Sequence, residues 1–311
     1  MSQSVNTNII SLNAQRNLST SQTSLSTSMQ RLSSGLRVNS AKDDAAGLAI
    51  ANRMTAQSRG MNVAVRNAND AISLSQTAEG ALGKIGDNLQ RMRELAVQSR
   101  NATNSSGDRE NLQKEFSQLQ EEIQRTVNST SFNGTKLLDG SSGDLEFQVG
   151  ANTTSDDRIT ITGVDMNGTA NKTSAVDDDA TVSTADVVVA TAFTSYADDA
   201  EGISIGGFQN DGTTEVTTDD IDTAINVIDK AMDRVNEQRA TFGAAQNRFE
   251  AVISNLQVGI ENQTAASGRI LDADFATETA NLSRSQILQQ AGTAMVAQAN
   301  QLPQQVLSLL R

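Results

Sequence analysis

The chain has 311 residues, 37% hydrophobic and 20% charged, which is typical of folded chains rather than disordered ones. It contains no Cys, His or Trp, which excludes disulfides, thiolate metal sites and thiol nucleophiles and removes the commonest general base near neutral pH. The net charge is −13, and residues 141–220 hold 16 of the 37 acidic residues, so no strongly basic face remains for a nucleic acid. We therefore expect no enzyme, no metal, no cofactor and no nucleic-acid partner.

No apolar run approaches the roughly 20 residues that span a bilayer. Residues 1–8 are largely polar and the first basic residue is Arg16, which is unlike a secretory signal. We expect no membrane association, and export, if it occurs, without a cleaved signal peptide.

The first predicted helix covers residues 7–36, where apolar side chains recur with steps of four and three. These stripe residues are Leu18, Leu25, Met29, Leu32 and Leu36. The pairs Ser34-Gly35 and Asn39-Ser40 interrupt the pattern.

A second helix is predicted from Asp43 or Asp44 to about Arg100, followed by an Asn/Ser/Gly-rich turn over residues 101–108. A third helix follows and ends before Asn133-Gly134. Both carry a single apolar stripe, so each is expected to pack along one face.

The period then changes from helical to alternating. Leu145, Phe147 and Val149 alternate with polar residues, as do Ile159 and Ile161, and this pattern predicts a β-hairpin. Two later runs, 187–189 and 203–205, are possible further strands. They lie in an acidic, polar stretch, which we interpret as a short surface insert over residues 166–214 that is either a compact domain or a loop.

The strongest helical pattern starts at Ile221 and continues for about five heptads, which predicts a coiled-coil seam. The seam residues are Ile221, Ile225, Ile228, Met232, Val235, Phe242, Phe249, Ile253, Leu256 and Ile260. Polar Arg239 and Gln246 interrupt it, and they either set the register or lie where the partner helix leaves room.

The last 40 residues return to a helical pattern in which small and large residues share one stripe. The stripe contains Leu288, Gly292, Met295, Ala299 and Leu302, with Ala291 beside it. Small residues allow close approach, so we expect this face to pack tightly against another helix, and Pro303 to break or end the helix.

Narrow stripes on rods about 45–90 Å long cannot be buried by local folding and need partner rods. The simplest arrangement pairs N-terminal and C-terminal helices antiparallel within the chain, and then chain against chain. The predicted fold class is mainly α, with long antiparallel coiled-coil helices from both termini, a small β-hairpin region and a short acidic β-rich insert.

Several long motifs resemble those of bacterial flagellins, in the same order along the chain. They are RLSSGLRVNSAKDDAAGLAI at 31–50, QTAEGAL at 76–82, LQRMRELAVQ at 89–98, FNGTKLL at 132–138, GAAQNRF at 243–249 and ILQQAGTAMVAQAN at 287–300. The resemblance covers roughly residues 1–165 and 215–311 and implies a structural subunit of the flagellar filament.

The resemblance further implies three domains. Residues 1–42 and 269–311 would form an inner filament core, residues 43–165 and 215–268 a coiled-coil and hairpin domain, and residues 166–214 a variable insert. Flagellins are exported unfolded by the flagellar type III apparatus, travel with a chaperone bound to the C-terminal helix, and assemble beneath a cap. The expected location is therefore the extracellular filament.

Three positions are similar to those through which flagellins are sensed by the innate receptor Toll-like receptor five: Arg91, Leu95 and Glu115. Arg91 and Leu95 are four residues apart, so we expect them to lie on one face of the helix. Glu115 lies on the next predicted helix. The family implies that this surface is buried between subunits, so recognition would concern monomers.

Three other interpretations stay open at this point. A hook–filament junction protein resembles flagellin at its ends and would occur at a few copies per filament. An exported adhesin or receptor ligand would remain monomeric. An enzyme would need a carboxylate pair or a Ser-Lys nucleophile in the insert, and no such constellation is evident.

Overall fold

The computed structural model describes residues 8–166, 203–206 and 216–309, with side chains up to residue 301. The described helices are α1 (Ile9–Ser34), α2 (Ala45–Ser99), α3 (Ser106–Ser129), α4 (Thr218–Leu271) and α5 (Phe275–Leu309). The described strands are β1 (Ser131–Phe132), β2 (Thr135–Lys136), β3 (Leu145–Gln148) and β4 (Arg158–Ile161). The chain divides into two compact units, residues 1–59 with 259–311 (unit 1) and residues 60–258 (unit 2).

Side-chain caps fix the helix ends in the N-terminal part of the chain. The Asn8 carboxamide accepts a hydrogen bond from the Ser11 amide at 3.1 Å. Gly35 caps the end of α1, and its φ of 72° suits glycine. The Asp44 carboxylate accepts from the Gly47 amide at 2.8 Å at the start of α2. Ser105 and Asp108 form a capping box at the start of α3. The predicted bounds of these three helices are therefore confirmed to within a few residues.

Unit 2 contains a continuous apolar core between α2, α3 and α4. From α2 the core takes Leu82, Ile85, Leu89, Met92 and Leu95, and from α3 it takes Phe116, Ile123 and Val127. The predicted seam of α4 is confirmed: Ile221, Ile228, Val235, Phe242 and Phe249, spaced by seven, are all buried. Of the two polar interruptions, Arg239 is exposed, and Gln246 donates to the Glu79 carboxylate at 2.9 Å.

The predicted hairpin is confirmed, with β3 and β4 antiparallel and Phe147 opposite Ile159. It packs onto α4 through an edge-to-face contact between the rings of Phe147 and Phe249, whose centroids are 5.7 Å apart. It packs onto α2 as well, since Asn67 Nδ2 donates to the carbonyl of Gln148 at 2.9 Å. A second, smaller hairpin joins β1 and β2 through Asn133 and Gly134.

The expectation of a strand at 203–205 is not met. Side chains of α2 and α3 bind this segment instead of another strand: Ser99 Oγ donates to the Ile205 carbonyl at 2.5 Å, and the Ile205 amide donates to Gln113 Oε1 at 2.7 Å. The possible strand at 187–189 and most of the insert at 166–214 lie outside the described residues.

The expectation that Pro303 ends the last helix is wrong, because α5 continues to Leu309. Proline has no backbone N–H, so the carbonyl of Ala299, four residues earlier, loses its helical donor. Asn8 Nδ2 donates to that carbonyl at 2.7 Å. One side chain therefore caps the start of α1 and satisfies the helix turn that proline disrupts.

Candidate assembly surfaces

Helices α1 and α5 pair antiparallel along their length, which confirms the predicted pairing of the two ends of the chain. The positions that face the partner helix repeat with steps of three and four, and they are small or polar in most cases. On α1 they are Ser11, Ala14, Leu18, Ser21, Leu25, Ser28 and Leu32; on α5 they are Glu278, Leu282, Ser285, Gln289, Gly292, Val296 and Ala299. We call these residues the intrachain seam.

Close approach explains the small residues of the intrachain seam. A Cβ added to Gly292 would lie 3.1 Å from Leu18 Cδ1, so glycine here makes room for a leucine of the other helix. Ser28 and Ala299 are likewise buried. Small side chains allow helix axes to approach, and the larger apolar residues are then accommodated elsewhere.

Polar contacts fix the register of the seam at both ends. Besides the bond from Asn8 to the Ala299 carbonyl, Ser11 Oγ donates to Asn300 Oδ1 at 2.7 Å. At the other end, Arg31 and the buried Glu278 have their closest charged atoms 4.0 Å apart. Buried polar pairs tolerate misalignment poorly, so these contacts favour one register of α1 against α5.

The predicted packing residues fall into two groups. Leu18, Leu25, Leu32 and Leu36 are partly buried and Ala299 is fully buried. The others face outward: Met29, Leu288, Ala291 and Met295 are exposed. The side chain of Leu302 lies outside the described part of the chain. The single predicted stripe on α5 is thus divided between two faces, because Gly292 and Ala299 face α1 while Leu288 and Met295 do not.

The outward faces of α1 and α5 carry most of the exposed large apolar residues among those described. On these two helices they are Ile9, Ile10, Leu12, Met29, Phe275, Ile287, Leu288 and Met295. We call this set the outer apolar residues. Among them, Leu288 and Met295 are seven residues apart and so lie on the same side of α5.

The second predicted surface lies in unit 2. Arg91 donates to Glu115 from Nη2 at 2.8 Å and from Nε at 2.9 Å, and its Nη1 donates to Glu94 at 2.9 Å. The hydrogen bonds that Arg91 donates to the carboxylates of Glu94 and Glu115 raise the pKa of Arg91. The side chains of Arg91 and Glu115, which pair between the two helices, are each about half exposed. The structure therefore brings Arg91 and Glu115 together across α2 and α3.

Leu95 does not share that surface. Its side chain is fully buried in the core of unit 2, although it lies only one helical turn from Arg91. The expectation that Arg91 and Leu95 share one exposed face is therefore wrong. Residues four apart are separated by about 40° around a helix, so Arg91 can lie at the edge of the buried face while Leu95 lies within it. Leu95 packs beneath the surface that Arg91 and Glu115 form.

Two ion pairs between α2 and α4 were not predicted from the sequence. Arg93 Nε donates to Asp229 Oδ1 at 2.6 Å, and Arg100 Nη2 donates to Asp222 Oδ2 at 2.6 Å. Both arginines and both aspartates are seven residues apart, as antiparallel heptads require. That matched spacing is the sequence signal that could have identified them. The contact of Asn8 with Ala299 was harder to predict, because the sequence around Asn8 indicates only that it caps a helix.

Two negative observations concern the described residues alone. In that part of the chain no helix combines the length and apolar character needed to cross a lipid bilayer. Nor do residues 8–166, 203–206 and 216–309 bring together three side chains able to hold a metal ion.

The long terminal helices pair antiparallel and carry exposed large apolar residues on their outer sides. These features define a helical subunit that associates with other protein chains. Residues 5–143 match the family model for the bacterial flagellin N-terminal helical region, and residues 225–310 match that for the C-terminal helical region. The chain belongs to the bacterial flagellin family. It is a subunit that polymerises into the extracellular flagellar filament, and the family is one of structural proteins and not of enzymes.

Two flagellins are similar to this chain over their whole length. The chain is 45% identical over 314 residues to a flagellin of Xenorhabdus nematophila and 40% identical over 379 residues to Flagellin A of Vibrio cholerae serotype O1, with both chains covered completely in each case. The structure of a putative flagellar hook-associated protein from Vibrio parahaemolyticus, 13% identical, superposes with a TM-score of 0.54 over 74% of this chain and 100% of that one. At this identity the likeness shows a shared fold only.

Proposed function

We propose that the outer apolar residues of α1 and α5 are the contacts through which each copy joins its neighbours in the filament. The observation that carries this proposal is the division of side chains on these helices. The intrachain seam is small or polar at most positions, and its large apolar residues are Leu18, Leu25, Leu32, Leu282 and Val296. Leu288 and Met295 lie outside the seam and are exposed in a single chain.

Burial of these side chains supplies most of the free energy of assembly. Each Å² of apolar surface removed from water contributes about 25 cal/mol, so several half-exposed leucine and isoleucine side chains give a large favourable sum. The surfaces on α1 and α5 differ from each other, and contacts between unlike surfaces generate an open helical polymer when they do not close into a ring.

We propose that the chain is divided into three regions with different positions in the filament. Residues 1–42 and 269–311 form the inner filament core, residues 43–165 and 215–268 form the surrounding coiled-coil and hairpin domain, and residues 166–214 form a surface insert. The antiparallel pairing of α1 with α5 supports the first assignment, and the continuous core of unit 2 supports the second.

The exposed apolar face of α5 needs a cover before assembly, because such a face promotes nonspecific association. We propose that an export chaperone binds this C-terminal helix, that the chain leaves the cell unfolded through the flagellar type III apparatus, and that it adds to the filament beneath a cap. The absence of Cys is compatible with such a route, since no disulfide can form before passage.

We propose that free monomers present Arg91 and Glu115 to Toll-like receptor five, with Leu95 supporting the surface from below. A reporter-cell assay of purified monomer tests this. Arg91→Glu should reduce the response by more than tenfold, whereas Arg125→Glu, which alters a more exposed arginine on α3 that also pairs with a glutamate, should not. Equal responses from both variants would exclude Arg91 from the receptor contact.

Seeded growth tests the assembly proposal. Purified monomer is mixed with short filament fragments and examined by negative-stain electron microscopy. Long uniform filaments are expected. Seeds that stay short at high monomer concentration would overturn the proposed assembly.

A further inference from the structure

Oxidation chemistry in this chain is confined to very few side chains. The sequence has eight Met and one Tyr, and it lacks Cys and Trp altogether. Thioethers react with hydroperoxides to give sulfoxides, whereas the thiol, the usual competing target, is missing. A mild peroxide is therefore expected to modify methionine alone.

Burial divides the methionines sharply. Met92 and Met166 are fully buried, and Met54, Met61 and Met232 are partly buried. Met29 and Met295 are each 57% exposed. Met1 lies outside the described residues. The two methionines of greatest exposure in the described part of the chain therefore occupy α1 and α5, the helices whose outward faces carry the proposed assembly contacts.

The surroundings of these two side chains are apolar. Met295 has exposed Ala291 four residues before it and exposed Leu288 seven residues before it, on the same side of α5. Met29 follows buried Ser28 of the intrachain seam and points away from it, beside partly buried Leu25 and Leu32. Neither methionine lies within the seam, so modification leaves the pairing of α1 with α5 intact.

We propose that Met29 and Met295 are two redox-modification sites of the unassembled subunit, and that hydrogen peroxide acting there stops the subunit from joining the filament. This inference rests on the assembly surface proposed above. In the reaction, a sulfur lone pair attacks one peroxide oxygen and the O–O bond breaks. The oxygen remains on sulfur as the sulfoxide, and the other oxygen leaves as water with the transferred proton. Sulfur loses two electrons and the peroxide gains them.

The sulfoxide opposes assembly for a physical reason. It converts a flexible apolar side chain into a polar one with a strong acceptor oxygen. Burying that oxygen against apolar neighbours, without a donor, is costly enough to raise the critical concentration for assembly by about tenfold or more per sulfoxide. Assembly in turn covers both sulfurs, so the filament resists the same oxidant.

The test uses the full-length chain as monomer, treated with hydrogen peroxide and then mixed with untreated seeds. Peptide mass spectrometry locates each added oxygen, and electron microscopy measures seed growth. The matched pair of variants is M29L/M295L, which removes both exposed thioethers, and M54L/M232L, which removes two partly buried ones. The growth rate of each treated chain is compared with that of the same chain before treatment, so any change in the basal rate of M29L/M295L does not enter the comparison. After treatment, wild type and M54L/M232L should slow at least about tenfold, whereas M29L/M295L continues.

A competition experiment needs no variant. Wild-type monomer oxidised to about half is allowed to extend seeds, and filaments are separated from the remaining monomer by centrifugation. Sulfoxide at positions 29 and 295 should be depleted in the pellet and enriched in the supernatant, while sulfoxide at position 54 is distributed evenly. Methionine sulfoxide reductase should restore growth of the supernatant fraction.

The outcomes separate the two proposals. Oxidised wild type that extends seeds at the untreated rate, or equal sulfoxide content in pellet and supernatant, would overturn the redox-modification sites and leave the assembly surface standing. Equal inhibition of M29L/M295L and wild type by peroxide would also overturn them. Untreated wild type that fails to extend seeds would overturn the assembly proposal and, with it, this inference.

Discussion

The two helical contacts of this chain differ in their proportion of large apolar side chains. Between α2, α3 and α4 of unit 2, large apolar residues face inward and are fully buried, as Leu82, Phe116 and Phe249 illustrate. Between α1 and α5 of unit 1, leucines such as Leu18 alternate with small or polar residues such as Ser28 and Gly292, and many other large apolar residues face outward. Unit 2 thus buries its apolar surface within one chain, whereas unit 1 leaves much of its apolar surface exposed.

The comparison shows how one chain combines a stable fold with the ability to polymerise. A core such as that of unit 2 supplies folding stability regardless of concentration. A seam of small and polar residues fixes register through contacts such as Asn8 with Ala299 but contributes less burial. On the assembly proposed above, neighbouring copies cover the outer faces and add to its stability, which would link folding of the ends to assembly.

The largest expected effect is on the core of unit 2. Phe249→Ala removes a fully buried ring that also packs against Phe147, and should lower the free energy of unfolding by about 3–5 kcal/mol. Denaturant unfolding followed by circular dichroism measures the change. A loss below about 1 kcal/mol, within the range of surface substitutions, would mean that this core does not carry the stability of unit 2.

A substitution on the outer face of α5 should behave in the opposite way. Leu288→Ser removes an apolar side chain that is half exposed in the single chain, so the unfolding free energy should change by no more than about 0.5 kcal/mol. The critical concentration for seeded growth should rise about tenfold, as expected for losing half a buried leucine. Gln286→Ser, at an exposed polar position of the same helix, is the control. Comparable effects of both variants on growth would break the proposed contrast.

A smaller effect is expected at the end of the intrachain seam. Asn8→Ala removes the cap of α1 and the donor to the Ala299 carbonyl, and should destabilise this end of the helix pair by about 1–2 kcal/mol. Amide hydrogen exchange of α1 measures the local opening. Pro303→Ala restores a backbone donor to that carbonyl, so the cost of Asn8→Ala should be smaller in the Pro303→Ala background. Equal costs in both backgrounds would show that the two residues act independently.

The smallest effect concerns acid stability of unit 2. Hydrogen bonds from Arg100 lower the pKa of Asp222 below its ordinary value of 3.8. A lowered folded-state pKa contributes stability above the unfolded pKa, and this contribution is lost as the pH falls through the folded value. Asp222→Asn should therefore cost a little at pH 7 and reduce the loss of stability between pH 5 and 3. Unfolding titrations at both pH values test this, and an unchanged pH slope would contradict it.

The sequence predicted the regular parts of the molecule well, for a physical reason. The five heptads of α4 place Ile, Val and Phe along one face of the helix, which must be buried. The alternation of apolar and polar residues around Phe147 is typical of a β-hairpin. The α1–α5 seam was predicted only in part: Leu18 and Gly292 were in the predicted stripes, whereas Ser28 and Ser285 carry no apolar signal. Large residues on the outer face dominate the pattern instead, and Leu288 and Met295 were grouped with residues of the seam.

Other misses share a common cause, since each depends on a partner distant in sequence. The helix continues past Pro303 because Asn8, almost 300 residues away, supplies the missing donor. Residues 203–205 bind to Ser99 and Gln113 of the helices rather than to a strand. Leu95 is buried because α2 is covered on the face that starts beside Arg91. Local periodicity carries none of this information.

Removal of residues 1–36 tests most directly whether the fold and the assembly reside in different parts of the chain. Circular dichroism and denaturant unfolding report on the helices that remain, and seeded growth under the electron microscope reports on assembly. We predict a cooperative helical core with little change in its unfolding midpoint and no growth on seeds. Normal filaments from the shortened chain, or collapse of the remaining helices, would contradict that separation.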